Sequence, residues 1–377
     1  MFLKCPMDNY KAFFALLRAG LWEQSVRLLP FEPLDFNALY ELAEEQAVVG
    51  LIGAGLEHVE DRKVTKPEAV RFLKKVFSLE CRNSEINGFV EKLTQMLRSS
   101  GVYALLIKGQ GVAQCYERPE WRSVGDVDLL VDDANYQKGK EYLGSMAEYV
   151  GVEEVDKKHF EMTIDSWTVE LHGTLHNGLS RRSDKVIDEI QEDSLRNGSV
   201  VMWRNGETDV PLPSPDNHIL FVFTHILQHF FHGGIGLRQI CDWCRMLWTY
   251  RDCLDHKLLD SRLRRMGLVS EWRVFASLAV NTLGLQASYM PLYRESKIYS
   301  RKAERVLALV MRKGSFGRKV YTSDTKSTSV LRRKLITIGR QLKESVSFLT
   351  IFPLDSFRFL VFFFVEGISR TRKTTKF

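Results

Sequence analysis

The chain has 377 residues, of which 45% are hydrophobic and 27% charged, and 53 Lys/Arg against 47 Asp/Glu give a formal net charge of +6. These figures fit a globular protein of two or three domains and exclude a disordered or collagen-like chain. Six scattered cysteines are too few for a disulfide scaffold at this length, which points to a reducing, cytoplasmic setting.

The N-terminus carries a single early Lys and helically spaced apolar residues, unlike a signal peptide. The longest apolar stretch, 348–365, is interrupted by Pro353, Asp355 and Arg358, so no membrane span is expected. Charge is uneven: residues 301–377 hold 18 Lys/Arg against 5 Asp/Glu, so a basic tail follows a mildly acidic body.

Residues 1–100 read as a helical region. EEQAVVGLIGAGL has the look of one buried helix, and Ile86, Phe89, Val90, Leu93, Met96 and Leu97 recur at helical spacing until Gly101. From 101 to 213 the texture becomes α/β. VYALLI is a short strand ending at Lys108-Gly109, GVAQCYE a short helix, VGDVDLLV an alternating strand, and YQKGKEYLGSM a helix. HFEMTI and WTVELH flank Asp165-Ser166 as a hairpin, and a second hairpin turns at Asn205-Gly206. Ser214-Pro215-Asp216 is a helix start, and residues 214–320 read as a C-terminal helical domain. Residues 321–377 form a basic, Phe-rich tail behind a Ser/Thr linker at 321–329. The expected fold class is α+β: a small mixed β-sheet core inserted between N-terminal and C-terminal helical regions.

The chemistry concentrates in the sheet unit. On a strand Asp126 and Asp128 face the same way while Val127 and Leu129 point to the core. Two neighbouring carboxylates repel unless a cation lies between them, and a hard divalent ion is the natural occupant. Lys108-Gly109-Gln110-Gly111 stands where a strand passes into a helix, a place where backbone N–H groups cradle phosphate. Gly109 is expected to tolerate no side chain, because a Cβ would keep phosphate away from the backbone. Arg122 offers a planar cation for phosphate oxygens. Glu170 brings a third carboxylate on a strand that can lie beside the first, and His172 shares its face, suited to orienting either a substrate or Glu170. Each residue also has an ordinary reading as a turn glycine, surface arginine, half-exposed acid or structural histidine.

Strand, Gly-containing turn, helix, a strand with Asp-x-Asp and a later strand with an acid resemble the DNA polymerase beta-like nucleotidyltransferase superfamily. More narrowly, LLIKGQGVAQCYERPEWRSVGDVDLLV, VELH and LPSPDNHILFVFTHILQH resemble the bacterial uncharacterised nucleotidyltransferase family across roughly residues 35–260. The resemblance implies that Asp126, Asp128 and Glu170 are catalytic and hold Mg²⁺ or Mn²⁺. Glu170 would also be able to deprotonate the attacking hydroxyl, and Gly109 would hold the triphosphate. Lys108, Gln110, Arg122 and His172 join the nucleotide-binding set, with Lys108 and Arg122 either offsetting phosphate charge or holding the sheet acids, although Gln110 stands where Ser or Gly is usual. The implied reaction transfers a nucleoside monophosphate from an NTP such as ATP to an acceptor hydroxyl, on a small molecule or a protein, with release of pyrophosphate. The alternative is a catalytically inactive nucleotide- or partner-binding module with the same fold.

Two further features stand apart. His225, His229 and His232 precede Cys241-x-x-Cys244, a zinc-like set, but helical amphipathicity accounts for the same positions. The tail has three destinations open to it: packing on the body, a peripheral seat on an anionic membrane, or nucleic acid. Packing is favoured, because Pro353 and Asp355 break the apolar run.

Overall fold

The structure is a computed structural model that describes residues 7–155, 158–232, 234–314, 348–349 and 351–353. Four helices open the chain: α1 (Met7–Trp22), α2 (Phe36–Glu45), α3 (Val49–Glu57) and α4 (Lys66–Ser99). EEQAVVGLIGAGL is not one helix, because α2 ends at Glu45 and α3 starts at Val49. The break turns Gln46 into a cap for a distant helix. Its side-chain oxygen accepts from the Leu237 N–H at 3.0 Å and its carbonyl from the Arg238 N–H at 3.3 Å, two donors that a helix start leaves without internal partners. Helix α4 begins where Glu68 reaches back to the Thr65 N–H at 2.8 Å, with Pro67 in the first turn.

The central sheet is mixed and five-stranded, in the order β1-β2-β5-β4-β3. Its strands are β1 (Leu105–Leu106), β2 (Val127–Leu130), β3 (Tyr149–Val150), β4 (His159–Ile164) and β5 (Trp167–His172). Strand β2 runs parallel to β5 and antiparallel to β1, and β4 is antiparallel to both β3 and β5. VYALLI contributes only two residues to the ladder, and Asp126 stands just before β2 rather than within it. The β4–β5 hairpin turns at Asp165-Ser166 as expected, with both residues at positive φ. The helix after β2 is α6 (Asp133–Gly144), and the short α5 (Gln110–Ala113) follows β1. The second hairpin, β6 (Val200–Asn205) with β7 (Thr208–Pro213), closes on the Asn205↔Thr208 pair. Its turn is therefore Gly206-Glu207, one residue later than expected, with Gly206 at φ +57 in the position that favours glycine.

The two faces of the sheet have different fates. Val127, Leu129, Val169, Leu171, Phe160 and Met162 point to one face and join Ile86, Val90 and Leu93 of α4, Leu143 of α6 and Leu212 of β7 in one apolar cluster. The other face meets α8 (Pro215–His232), where the His218 ring nitrogen pairs with the Ile107 carbonyl at 2.8 Å. Helices α9 (Leu237–Thr249), α10 (His256–Met266), α11 (Val269–Asn281) and α12 (Lys297–Lys313) follow. They share a single apolar core with α1, α2 and α3, centred on Phe223, Trp243 and Trp272 with ring centroids 4.8–5.3 Å apart. Helix α7 (Arg181–Leu195) was not anticipated, although Ser180 caps it onto the Ser183 N–H and Val186, Ile187 and Ile190 form its buried stripe.

No described helix is long and apolar enough to cross a membrane. Within the tail, Phe348, Ile351 and Phe352 are buried on the body, with Phe348 5.0 Å from Phe230 and 5.5 Å from Phe231 between ring centroids. The Ser/Thr linker and most of the basic residues of the tail lie outside the described residues.

Candidate active site

A cavity of about 340 Å³ opens between the polar face of the sheet and helices α8 and α9, within the size range of small-molecule sites. Asp128 and Glu170 are Cα partners across the parallel β2–β5 pair, which puts both side chains on the cavity face. Asp126, two residues before Asp128, joins them, and one carboxylate oxygen from each of the three falls within 4.8 Å of the others.

The electrostatics are those of a crowded acidic site. Repulsion from Asp128, together with burial, pushes the Asp126 carboxyl up to about 6. Burial alone would raise Glu170 too, but hydrogen bonds from His159 and His172 and the nearby Lys108 ammonium hold it well below the usual carboxylate range. Lys108 Nζ lies 2.5 Å from Asp128 Oδ1. Burial works against its charge, and the carboxylates of Asp128, Glu170 and Asp126 raise it instead. His172 Nε2 lies 3.0 Å from Asp128 Oδ1 and 3.3 Å from Glu170 Oε2. Desolvation is again outweighed, and the two carboxylates raise the imidazole above its ordinary value. On the opposite wall His225 Nε2 is 3.5 Å from Lys108 Nζ, and burial and the Lys108 charge keep its ring neutral.

The three carboxylates fit a divalent cation. Asp128 Oδ2 is buried without a hydrogen-bond partner, the state of an oxygen that lacks its counter-charge. The donor set is all carboxylate oxygen, suited to a hard ion. Asp126, Asp128 and Glu170 would hold it. Among the described residues no metal-capable cluster includes Cys241 or Cys244, whose buried thiols are pushed up by desolvation.

The remaining expected residues separate. Gly109 lines the cavity and adopts φ +58, ψ −117 at the start of α5, a region open to glycine alone. A Cβ there would meet the Asp126 carbonyl oxygen at 3.0 Å. The first obstacle to a side chain is thus the chain itself, not an approaching phosphate. Gln110 turns away from the cavity, and its Nε2 donates to Asn83 Oδ1 at 3.1 Å and Asn87 Oδ1 at 2.6 Å, both on α4. Arg122, expected to offer its fork to phosphate, is instead engaged by Asp242 of α9 through Nε and Nη2, both at 2.8 Å. Tyr116 donates to the same carboxylate at 2.7 Å. This buried pair fastens the loop that delivers Asp126 onto α9, and Arg238 Nη1 supports it by donating to the Ser123 carbonyl at 3.0 Å.

His159 and Arg238 were missed from the sequence, His225 was singled out only as part of a zinc-like set, and all three line the cavity. A signal existed for His159. Counting back from the two-residue turn at Asp165-Ser166 pairs it with His172. Arg238 had none, and nothing placed His225 on the cavity wall, since helical spacing does not say which face meets the sheet.

A family model described as an uncharacterised nucleotidyltransferase matches residues 32–284, about two thirds of the chain. No curated protein and no solved structure gives a significant match.

Proposed function

The chain belongs to this uncharacterised nucleotidyltransferase family, and from that premise we propose that it uses Mg²⁺ or Mn²⁺ to transfer a nucleoside monophosphate from an NTP, such as ATP, to an acceptor hydroxyl, releasing pyrophosphate. The acceptor is a small molecule or a protein side chain. The observation that carries the reading is the convergence of Asp126, Asp128 and Glu170 on one cavity face. When bound there, divalent ions neutralise phosphate charge and align the attacking and leaving oxygens.

The chain's own residues have distinct tasks in this reading. Asp126 and Asp128 supply oxygens from a fixed strand end. Two imidazoles and Lys108 hold Glu170 well below the usual carboxylate range, so it suits ligation better than proton transfer. Lys108 rests its ammonium on Asp128 and lines the same cavity, where it would offset phosphate charge. The backbone at Gly109, at the N-terminus of α5, faces the same cavity and suits a phosphate group. Arg122 acts as a positioning residue through Asp242 and the Asp126 loop.

The test is incubation of the protein with each labelled NTP, Mg²⁺ or Mn²⁺, and a metabolite or protein extract, followed by mass spectrometry of whatever gains a nucleotide. Metal-dependent labelling that disappears in Asp128→Asn supports the proposal. Nucleotide binding without pyrophosphate release under every condition would favour the inactive binding module instead.

A further inference from the structure

We propose that His159, Glu170 and His172 form a second metal position, one that selects a borderline transition ion such as Zn²⁺ or Co²⁺ over Mg²⁺. It rests on the reading of Asp126, Asp128 and Glu170 as a cation site only in sharing Glu170 with it.

The hairpin builds the set. His159 on β4 and His172 on β5 are Cα partners in the antiparallel ladder, and their rings stand 4.8 Å apart between centroids at an interplanar angle of 34°. Glu170, two residues before His172, projects from the same face of β5. Its Oε2 lies 3.2 Å from His159 Nε2 and 3.3 Å from His172 Nε2. Ligands held about 2.0–2.2 Å from one ion in tetrahedral or octahedral geometry are themselves about 2.8–3.6 Å apart, so both spans have the length of a coordination edge. One donor atom from each of the three side chains falls within 4.8 Å of the others. All three line the cavity and are only partly buried, so an ion has an entry path.

The donor chemistry separates this position from its neighbour. Asp126, Asp128 and Glu170 offer oxygen only, which suits Mg²⁺, whereas two imidazoles and one carboxylate suit Zn²⁺, Co²⁺ or Fe²⁺. Binding replaces protons with the ion. Each Nε2 presents its lone pair, any ring proton moves to Nδ1, and the extra proton on a charged imidazole leaves to solvent. The three protein ligands leave further coordination positions facing the cavity, the arrangement of an open rather than a closed site.

Titrating the metal-stripped full-length chain with Co²⁺ tests this through its visible absorption, which reports nitrogen ligation independently of turnover. The wild type should develop a band that Zn²⁺ removes and excess Mg²⁺ does not. His159→Ala and the polar variant His159→Gln, checked for folding by circular dichroism, should each weaken Co²⁺ uptake by at least roughly 10-fold. Asp126→Asn should keep the band. No band, a band unchanged in both His159 variants, or one removed by Mg²⁺ would overturn the proposal. A His159-dependent band in a protein that never transfers a nucleotide would uphold it while the proposed function fails. Nucleotide transfer that needs Asp126, without any such band, would do the reverse.

Discussion

Asp128 and Glu170 stand side by side as partners on parallel strands, and Lys108, the nearest positive charge to Asp128, bonds Oδ1 while Oδ2 stays buried and unbonded. The site is therefore under-neutralised, and Asp126 shows the consequence in a carboxyl raised to about 6.

Asp126→Asn should abolish metal-dependent nucleotide transfer while raising thermal stability in metal-free buffer. The sign follows from linkage. Between its ordinary value of 3.8 and about 6, the folded state holds a proton on Asp126 that the unfolded state has lost, so this carboxyl contributes progressively less stability as pH rises through that window. The Tm gain of the Asn variant should thus be near zero at pH 3.5 and complete above about pH 6. A gain of equal size at both ends would contradict repulsion as its source.

Arg122→Gln should destabilise the protein before it affects any ligand. It removes the ion-pair partner of the buried Asp242 carboxylate, a change that costs about 3–5 kcal/mol. Arg122→Lys should rescue little, because a single ammonium cannot reproduce the two-point contact with the carboxylate. Urea unfolding of both variants measures this. Wild-type stability with selectively weakened nucleotide binding would return Arg122 to the phosphate role.

Gly109→Ala should lose about 1–3 kcal/mol, the usual cost of a side chain forced into a disfavoured backbone region. Because the new Cβ presses on the Asp126 carbonyl, metal binding and nucleotide binding should weaken together. Differential scanning calorimetry alongside Mn²⁺ titration checks both. Loss of nucleotide binding alone, at unchanged Tm, would point back to a direct phosphate clash.

Phe352→Ala should cost about 3–5 kcal/mol, as expected for a buried phenylalanine, and deletion of residues 345–377 should lower Tm or cause aggregation. Both changes uncover Phe230 and Phe231. A truncated chain that keeps its Tm, beside a full-length chain that floats with acidic liposomes in low salt only, would favour the membrane reading of the tail.

The buried histidines should make the fold acid-sensitive well above the carboxylate range. Burial lowers His218 to about 4 and holds His225 well below its ordinary value, so at these rings the unfolded chain binds more protons, and their contribution to stability drains away as pH falls from about 6.5 toward 4, opposite in sign to that of Asp126. His218→Gln should flatten the pH dependence of urea unfolding in that window. An unchanged slope would show that the His218 ring is not kept neutral by the fold.

The sequence by itself determined most of the local elements and the acid face. Alternation in VGDVDLLV and WTVELH dictates that Asp126, Asp128 and Glu170 oppose the apolar residues of their strands, since side chains on a strand have period two. The Ser214-Pro215 start of α8, the Asp165-Ser166 hairpin and the end of α4 near Gly101 were likewise legible, because caps and turns are local chemistry. Partnership between distant elements was not. Whether Arg122 faces phosphate or Asp242 depends on where α9 docks, and no short-range pattern encodes that. The same is true of Gln110, whose partners lie on α4, of the break that lends Gln46 to α9, and of Arg238 and His225 in the cavity wall. Tertiary packing decided those, because a buried polar side chain takes whichever partner the fold brings within hydrogen-bonding distance.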